Sequence, residues 1–137
     1  MESPTKKSMN RFSAFAVILI VAIPLAYMAI TYPRIVSTYS VSFTLGINSK
    51  RIEFEVPFLH DSVRIEVSVR TGAALWAAKI MSGGNLLWSH TTTQGGQTTY
   101  MSDWIGMPSG RYNLTFATIG IGSMEAEIKI TSKGGLW

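Results

Sequence analysis

The sequence contains no cysteine. That excludes disulfide staples, thiolate metal sites and a cysteine nucleophile. A domain outside the cytoplasm must then hold together on its hydrophobic core alone, which about a hundred residues can supply. Extracellular domains of eukaryotes usually carry a bridge at this size, so the absence points to a prokaryotic chain. Histidine is nearly absent too: His60 and His90 stand alone, without metal-ligand partners at useful spacing. Asp61 and Asp103 are too isolated for a calcium loop. There is no phosphate loop and no dinucleotide fingerprint. The expectation is a chain without cofactor or metal, and not an enzyme.

Charge is scarce, at 15% of residues, and missing altogether from Phe12 to Pro33. That gap is bounded by Arg11 and Arg34. Its 21 residues from Phe12 to Tyr32 match the ~20 that a helix needs to cross the hydrocarbon core. The anchor side chains are Phe12, Phe15, Ile18, Leu19, Tyr27 and Tyr32, with Pro24 expected to kink the helix as membrane helices tolerate. Lys6, Lys7 and Arg11 precede the run and set a cytoplasmic N-terminus, while Tyr27 and Tyr32 suit the opposite interface. A cleaved signal peptide is the first alternative, but its apolar core spans ~7–15 residues before a small-x-small site. Ala26-Tyr27-Met28 offers no such site, so the helix is expected to stay, with a mature chain starting near Met1. A pilin leader is the second: Lys6-Lys7-Ser8 resembles one, but Arg11 would then head the mature helix and the usual early acidic residue is missing.

The net charge of +4 raises the question of nucleic acid. Beyond Arg11, nine basic and seven acidic residues remain, mostly alternating along strands rather than gathered in a patch. No nucleic-acid partner is therefore expected.

After Pro33 the apolar period becomes two. Val41-Phe43-Leu45, Ile52-Phe54-Val56, Val63-Ile65-Val67-Val69, Tyr112-Leu114-Phe116 and Ala126-Ile128-Ile130 each alternate with polar residues. Such segments are strands with one face in a core and one in water. Leu75–Met81 and Leu86–His90 flank Ser82-Gly83-Gly84-Asn85, a hairpin signal. The near-continuous apolarity of Ala73 to Ala78 suggests a strand covered on both faces, and a further strand is expected from Thr98 to Ile105. Turns are expected at Gly46–Ser49, His60–Ser62, Gln94–Gln97, Pro108–Gly110 and Gly120–Gly122. The fold class is all-β: an antiparallel, jelly-roll-like sandwich of 7–8 strands behind one N-terminal transmembrane helix. The organisation reads as a cytoplasmic segment 1–11, a membrane helix 12–32, a linker 33–38, a sandwich 39–131 and a flexible tail 132–137.

The stretch from Trp76 to Ile130 resembles the second half of GOLD-type and pre-peptidase C-terminal-type β-sandwiches. The strand with an embedded tryptophan, the Ser82–Asn85 hairpin and Ser109-Gly110-Arg111-Tyr112-Asn113-Leu114-Thr115-Phe116 carry the likeness. It implies a non-catalytic fold that works by contact. Membrane-bound GOLD proteins place their anchor after the domain, whereas here it comes before.

His60-Asp61-Ser62 holds the residue types of a hydrolytic triad, but contiguous neighbours point different ways, so a loop is expected. Trp76 and Trp88 belong to the core by default. Trp104, in Ser102-Asp103-Trp104-Ile105-Gly106, and Trp137, on the Gly134-Gly135 stem, are the candidate ligand or partner contacts. Asn113-Leu114-Thr115 is a glycosylation sequon on an outward face. The expected role is a membrane-anchored accessory or structural subunit of a membrane or cell-envelope protein complex. A surface module for glycan or cell-wall polymer is one alternative, and a filament subunit joined by strand exchange is another.

Overall fold

A computed structural model of the chain describes residues 4–43, 46–71, 75–92, 99–120, 124–135 and 137. Helix α1 runs from Pro4 to Thr31 without a break at Pro24. It starts eight residues before the expected span. Pro4 suits the first helical turn, and the lysines, methionine and arginine that follow are good helix formers. It ends at Thr31, because a residue that precedes proline, here Tyr32, disfavours the helical conformation.

Among the described residues nine strand segments follow: β1 (Arg34–Phe43), β2 (Gly46–Val56), β3 (Ser62–Thr71), β4 (Leu75–Ser82), β5 (Asn85–Thr91), β6 (Thr99–Met101), β7 (Ile105–Gly106), β8 (Gly110–Gly120) and β9 (Met124–Lys133). They form two antiparallel sheets, ordered β1-β9-β3-β6 with β7 also on β3, and β2-β8-β4-β5. Segments β6 and β7 both pair with β3 and act as one interrupted strand. Counted as one, they leave eight strands ordered 1-8-3-6 and 2-7-4-5, which is the jelly roll.

The interruption has a visible cause. Ser102 donates its backbone N–H to the Ile65 carbonyl at 2.9 Å, and its hydroxyl oxygen accepts the Ile65 N–H at 2.9 Å. The side chain replaces a ladder partner and lets the strand step sideways. The hairpin expected at Ser82–Asn85 is present, with Gly83 and Gly84 at φ 56° and 83°. Two successive positive φ values make the turn that matches the strand twist.

Several expectations need correction. Residues 33–38 are not a linker, since β1 starts at Arg34 and pairs with β9 from Ser132 onward. A register shift between Ile35 and Ser37 breaks the period of two there and hides the strand. Gly46–Ser49 is the start of β2 and not a turn. Leu75 is exposed and Ala77 only half-buried, so β4 is covered on one face. Ser132 and Lys133 belong to the sandwich and not to a flexible tail, because β9 continues to Lys133. Leu45, Ala73, Ala74, Thr98 and the turns at Gln94–Gln97 and Ile121–Gly122 lie outside the described residues.

The core is built by the alternating residues of both sheets, including Ile52, Ile65, Val67, Ile80, Leu114, Phe116, Ile128 and Ile130, all nearly or fully buried. Registers place Arg34, Val56, Ser62, Gly110 and Lys133 at the end of the sandwich where α1 joins. Ile47, Leu75 and Ile119 lie at the far end.

Val67→Asp should unfold the domain, because a buried unpaired carboxylate costs several kcal/mol against a whole stability of ~5–15 kcal/mol. Glu66 points to the opposite face, beside Lys129. Glu66→Ala should change stability by roughly half a kcal/mol. Thermal melts of the two variants in one detergent compare them, and equal melting temperatures would contradict this register.

Candidate functional site

A helix ends in carbonyl groups that no residue of its own can satisfy. In α1 the sandwich satisfies two of them, those of Ile30 and Thr31. The Ile30 carbonyl accepts from the Arg34 guanidinium at 3.0 Å and from His60 Nε2 at 2.5 Å. The Thr31 carbonyl accepts the Gly134 N–H at 2.9 Å. The Thr31 hydroxyl donates to the Tyr27 carbonyl at 2.8 Å and accepts the Trp137 indole N–H at 3.1 Å.

A carbonyl can only accept, so His60 Nε2 carries the proton. In the neutral ring Nδ1 is then free to accept the Ser132 hydroxyl, 2.7 Å away. His60, Thr31 and Ser132 are all buried. Gly134 is required here, because a Cβ on it would lie 2.4 Å from Thr31 Cβ. The tail closes the junction: Trp137 meets Tyr32 edge-on at 5.0 Å, and Lys133 Nζ donates to the Trp137 carbonyl. The candidate site is therefore a locked joint between helix and sandwich.

A second cluster bridges the sheets where edge strands β5 and β6 meet. The His90 and Tyr100 rings stack 3.8 Å apart. Trp88 and Trp76 flank Tyr100 at 6.5 and 5.7 Å. Burial first, and the Asp103 carboxylate second, raise the Tyr100 phenol above its ordinary 10.0.

The third feature lies on the outer face of the β2-β8-β4-β5 sheet. Ile47 pairs with Ile119, and Ile119 with Leu75, so three neighbouring strands present one apolar row. These side chains are 81%, 62% and 42% exposed. The next row toward the helix is Ser49, Ala117, Ala77 and Thr91. The surface beside the apolar row is therefore made of small side chains.

The expected site residues are placed as follows. Lys6 and Lys7 lie in the first turns of α1, followed by Arg11. The anchor residues Phe12, Phe15, Ile18, Leu19, Pro24 and Tyr27 are exposed along the helix, as is Tyr32 just past its end. Only 6% of the apolar window within Arg11–Thr31 is buried, so the helix projects from the sandwich. Trp104 is no open platform: Arg64 and Lys133 stand over its ring at 4.5 and 4.4 Å. Trp137 contacts the chain's own helix end. Asn113 sits mid-strand on central β8 with its Oδ1 buried, not in the surface loop typical of a glycan acceptor. In His60-Asp61-Ser62, the Ser62 hydroxyl bonds Asp61 at 3.0 Å while His60 turns inward. Sequence reasoning missed His60 as a structural residue. The apolar Phe58-Leu59 before it and the Gly-Gly-Leu-Trp tail were the available signals.

No family model matches the chain, and no curated protein matches it. Among solved structures the chain is similar to PirA, at 13% identity and TM-score 0.47, covering 66% of this chain and 91% of that one. It is similar to TmCBM61 in complex with β-1,4-galactotriose, at 18% identity and TM-score 0.43, covering 72% and 85%. It is also similar to Aeromonas hydrophila PliG, a periplasmic inhibitor of g-type lysozyme, at 8% identity and TM-score 0.41, covering 71% and 85%. With every TM-score below 0.5 these likenesses carry no argument about function. The jelly roll rests on the strand order itself.

His60→Ala strands the buried Ser132 hydroxyl and removes a donor from Ile30. Chemical denaturation should show a loss of about 1–3 kcal/mol, with no change for exposed Thr91→Ala. Tyr100 supplies a second test. Its raised value means that the stability contributed by the neutral phenol is full below pH 10.0 and is lost as pH rises through the folded value. Melting temperature above pH 10 should therefore fall less steeply in Tyr100→Phe than in the parent; an unchanged slope would contradict a raised value at Tyr100.

Proposed function

We propose that the chain is a membrane-anchored contact subunit. In this reading α1 crosses the membrane with Lys6, Lys7 and Arg11 on the cytoplasmic side. The jelly roll stands outside and binds a protein of the cell envelope or of a larger membrane complex. The helix supports it by length and composition: a span of 21 residues holding an 18-residue window at a mean hydropathy of 2.5. The joint at Ile30 and Thr31 ties the last turn of the helix to the sandwich, and cleavage after Thr31 would strip His60, Gly134 and Trp137 of their partners.

The observation that carries the reading is the row Ile47–Ile119–Leu75. The water-facing side of such a sheet is ordinarily polar. A row of three large apolar side chains spans ~10 Å across two strand spacings. Patches of this kind, rimmed by polar residues, mark protein-interaction surfaces. The row lies far from the membrane end, and the rigid joint fixes its height above the bilayer.

A glycan-binding module is the second reading, favoured by the half-buried Trp88, His90 and Tyr100 rings, since aromatic faces stack on sugars. It predicts a sugar-dependent change in tryptophan emission that Trp88→Ala abolishes.

Ile119→Lys should leave the melting temperature within the small range of surface substitutions. It should also release the protein from an assembly heavier than its own 15.0 kDa when the source membrane is dissolved in mild detergent. Native mass of the parent and variant reads this directly. A parent that is monomeric in every mild detergent, or an assembly indifferent to Ile119→Lys, would contradict the protein-binding role.

A further inference from the structure

We propose that the turn Pro57–His60 is seated in the lipid interface, with Phe58 and Leu59 entering the headgroup layer of the bilayer that α1 crosses. The inference rests on reading α1 as a membrane span, and goes beyond it by giving the sandwich its own lipid contact.

Depth is the first argument. The apolar window of α1 closes at Thr31, which puts Ile30 and Thr31 at the edge of the hydrocarbon layer. The turn is tied to that level. His60 bonds the Ile30 carbonyl. The Leu59 carbonyl lies 3.1 Å from where a Cβ on Gly134 would stand, and Gly134 itself bonds Thr31. Whatever surrounds the last turn of the helix therefore surrounds the turn after β2.

Chemistry is the second. Val56, Pro57, Phe58 and Leu59 carry no polar side-chain group, and Phe58 is 73% exposed outside the core. Tyr32 and Trp137, both exposed and in edge-on contact, stand at the same level. Tyrosine and tryptophan are the residues that favour this layer.

Backbone conformation is the third. The His60 N–H closes the turn on the Pro57 carbonyl at 3.1 Å, with Leu59 at φ 65°. That position suits glycine or asparagine, and leucine is strained there. A conformational cost borne by an exposed apolar residue fits a side chain that is not exposed when lipid is present. The turn is too small for a protein-docking face, but two apolar side chains suffice to enter an interface already anchored by a helix.

The absence of cysteine makes the test direct. Three single-cysteine variants of the full chain, Ala22→Cys, Phe58→Cys and Ile47→Cys, are labelled with an environment-sensitive fluorophore and reconstituted in phosphatidylcholine nanodiscs. Quenching is read with nitroxide lipids labelled at the headgroup or deep in the acyl chain, and with aqueous iodide. The expected result is deep-lipid quenching at Ala22, headgroup-lipid quenching at Phe58 severalfold stronger than at Ile47, and iodide quenching at Ile47. A Phe58 label as open to iodide as the Ile47 label, with Ala22 still quenched by lipid, would overturn this proposal and leave the membrane span intact. An Ala22 label open to iodide would overturn both.

Discussion

The last turn of α1 presents carbonyl oxygens that the helix cannot satisfy, and the sandwich supplies the donors. Arg34, His60 and Gly134 come from three separate segments of the chain, the start of β1, the β2–β3 turn and the end of β9. Each bond is worth about 1 kcal/mol net. Against them stands the freezing of the elbow, ~1–2 kcal/mol per residue. The three bonds tie the helix directly to the sandwich, where a linker over residues 33–38 was expected.

The rest of the architecture follows from that joint. Gly134 passes Thr31 without room for a side chain, which brings Trp137 back onto the helix end and Lys133 onto Trp104. The jelly-roll order then carries β1 away from the helix end, so the opposite end of the β2-β8-β4-β5 sheet holds the apolar row. The same joint holds the Pro57–His60 turn, and Phe58 with it, beside the last turn of the helix.

Much of the fold was legible in the sequence because alternation and burial share one cause. Val63, Ile65, Val67 and Val69, like Tyr112, Leu114 and Phe116, face the core where their period puts them. Legibility failed where a local irregularity broke the period. The bulge between Ile35 and Ser37 disguised the first half of β1 as a linker, and Ser102 split one expected strand into two. The joint was illegible for a different reason. Thr31, His60 and the Ser132–Gly134 segment are far apart in sequence, and each alone reads as a loop residue or a helix end. Their burial is a product of topology. The exposed row was hidden in the same way, because Ile47 and Leu75 become neighbours of Ile119 only through the register of β8. Trp104 read as available because sequence does not reveal that Arg64 and Lys133 cover its ring.

The central claim is that helix and sandwich move as one body. Nitroxide labels on an Ala22→Cys, Ile47→Cys double variant report the distance between the middle of the helix and the far end of the sandwich, and pulsed electron resonance in nanodiscs reads its distribution. One narrow peak is the predicted result, broadening when His60→Ala is added. A broad distribution in the parent, unchanged by His60→Ala, would contradict a locked joint and return the sandwich to a free tether.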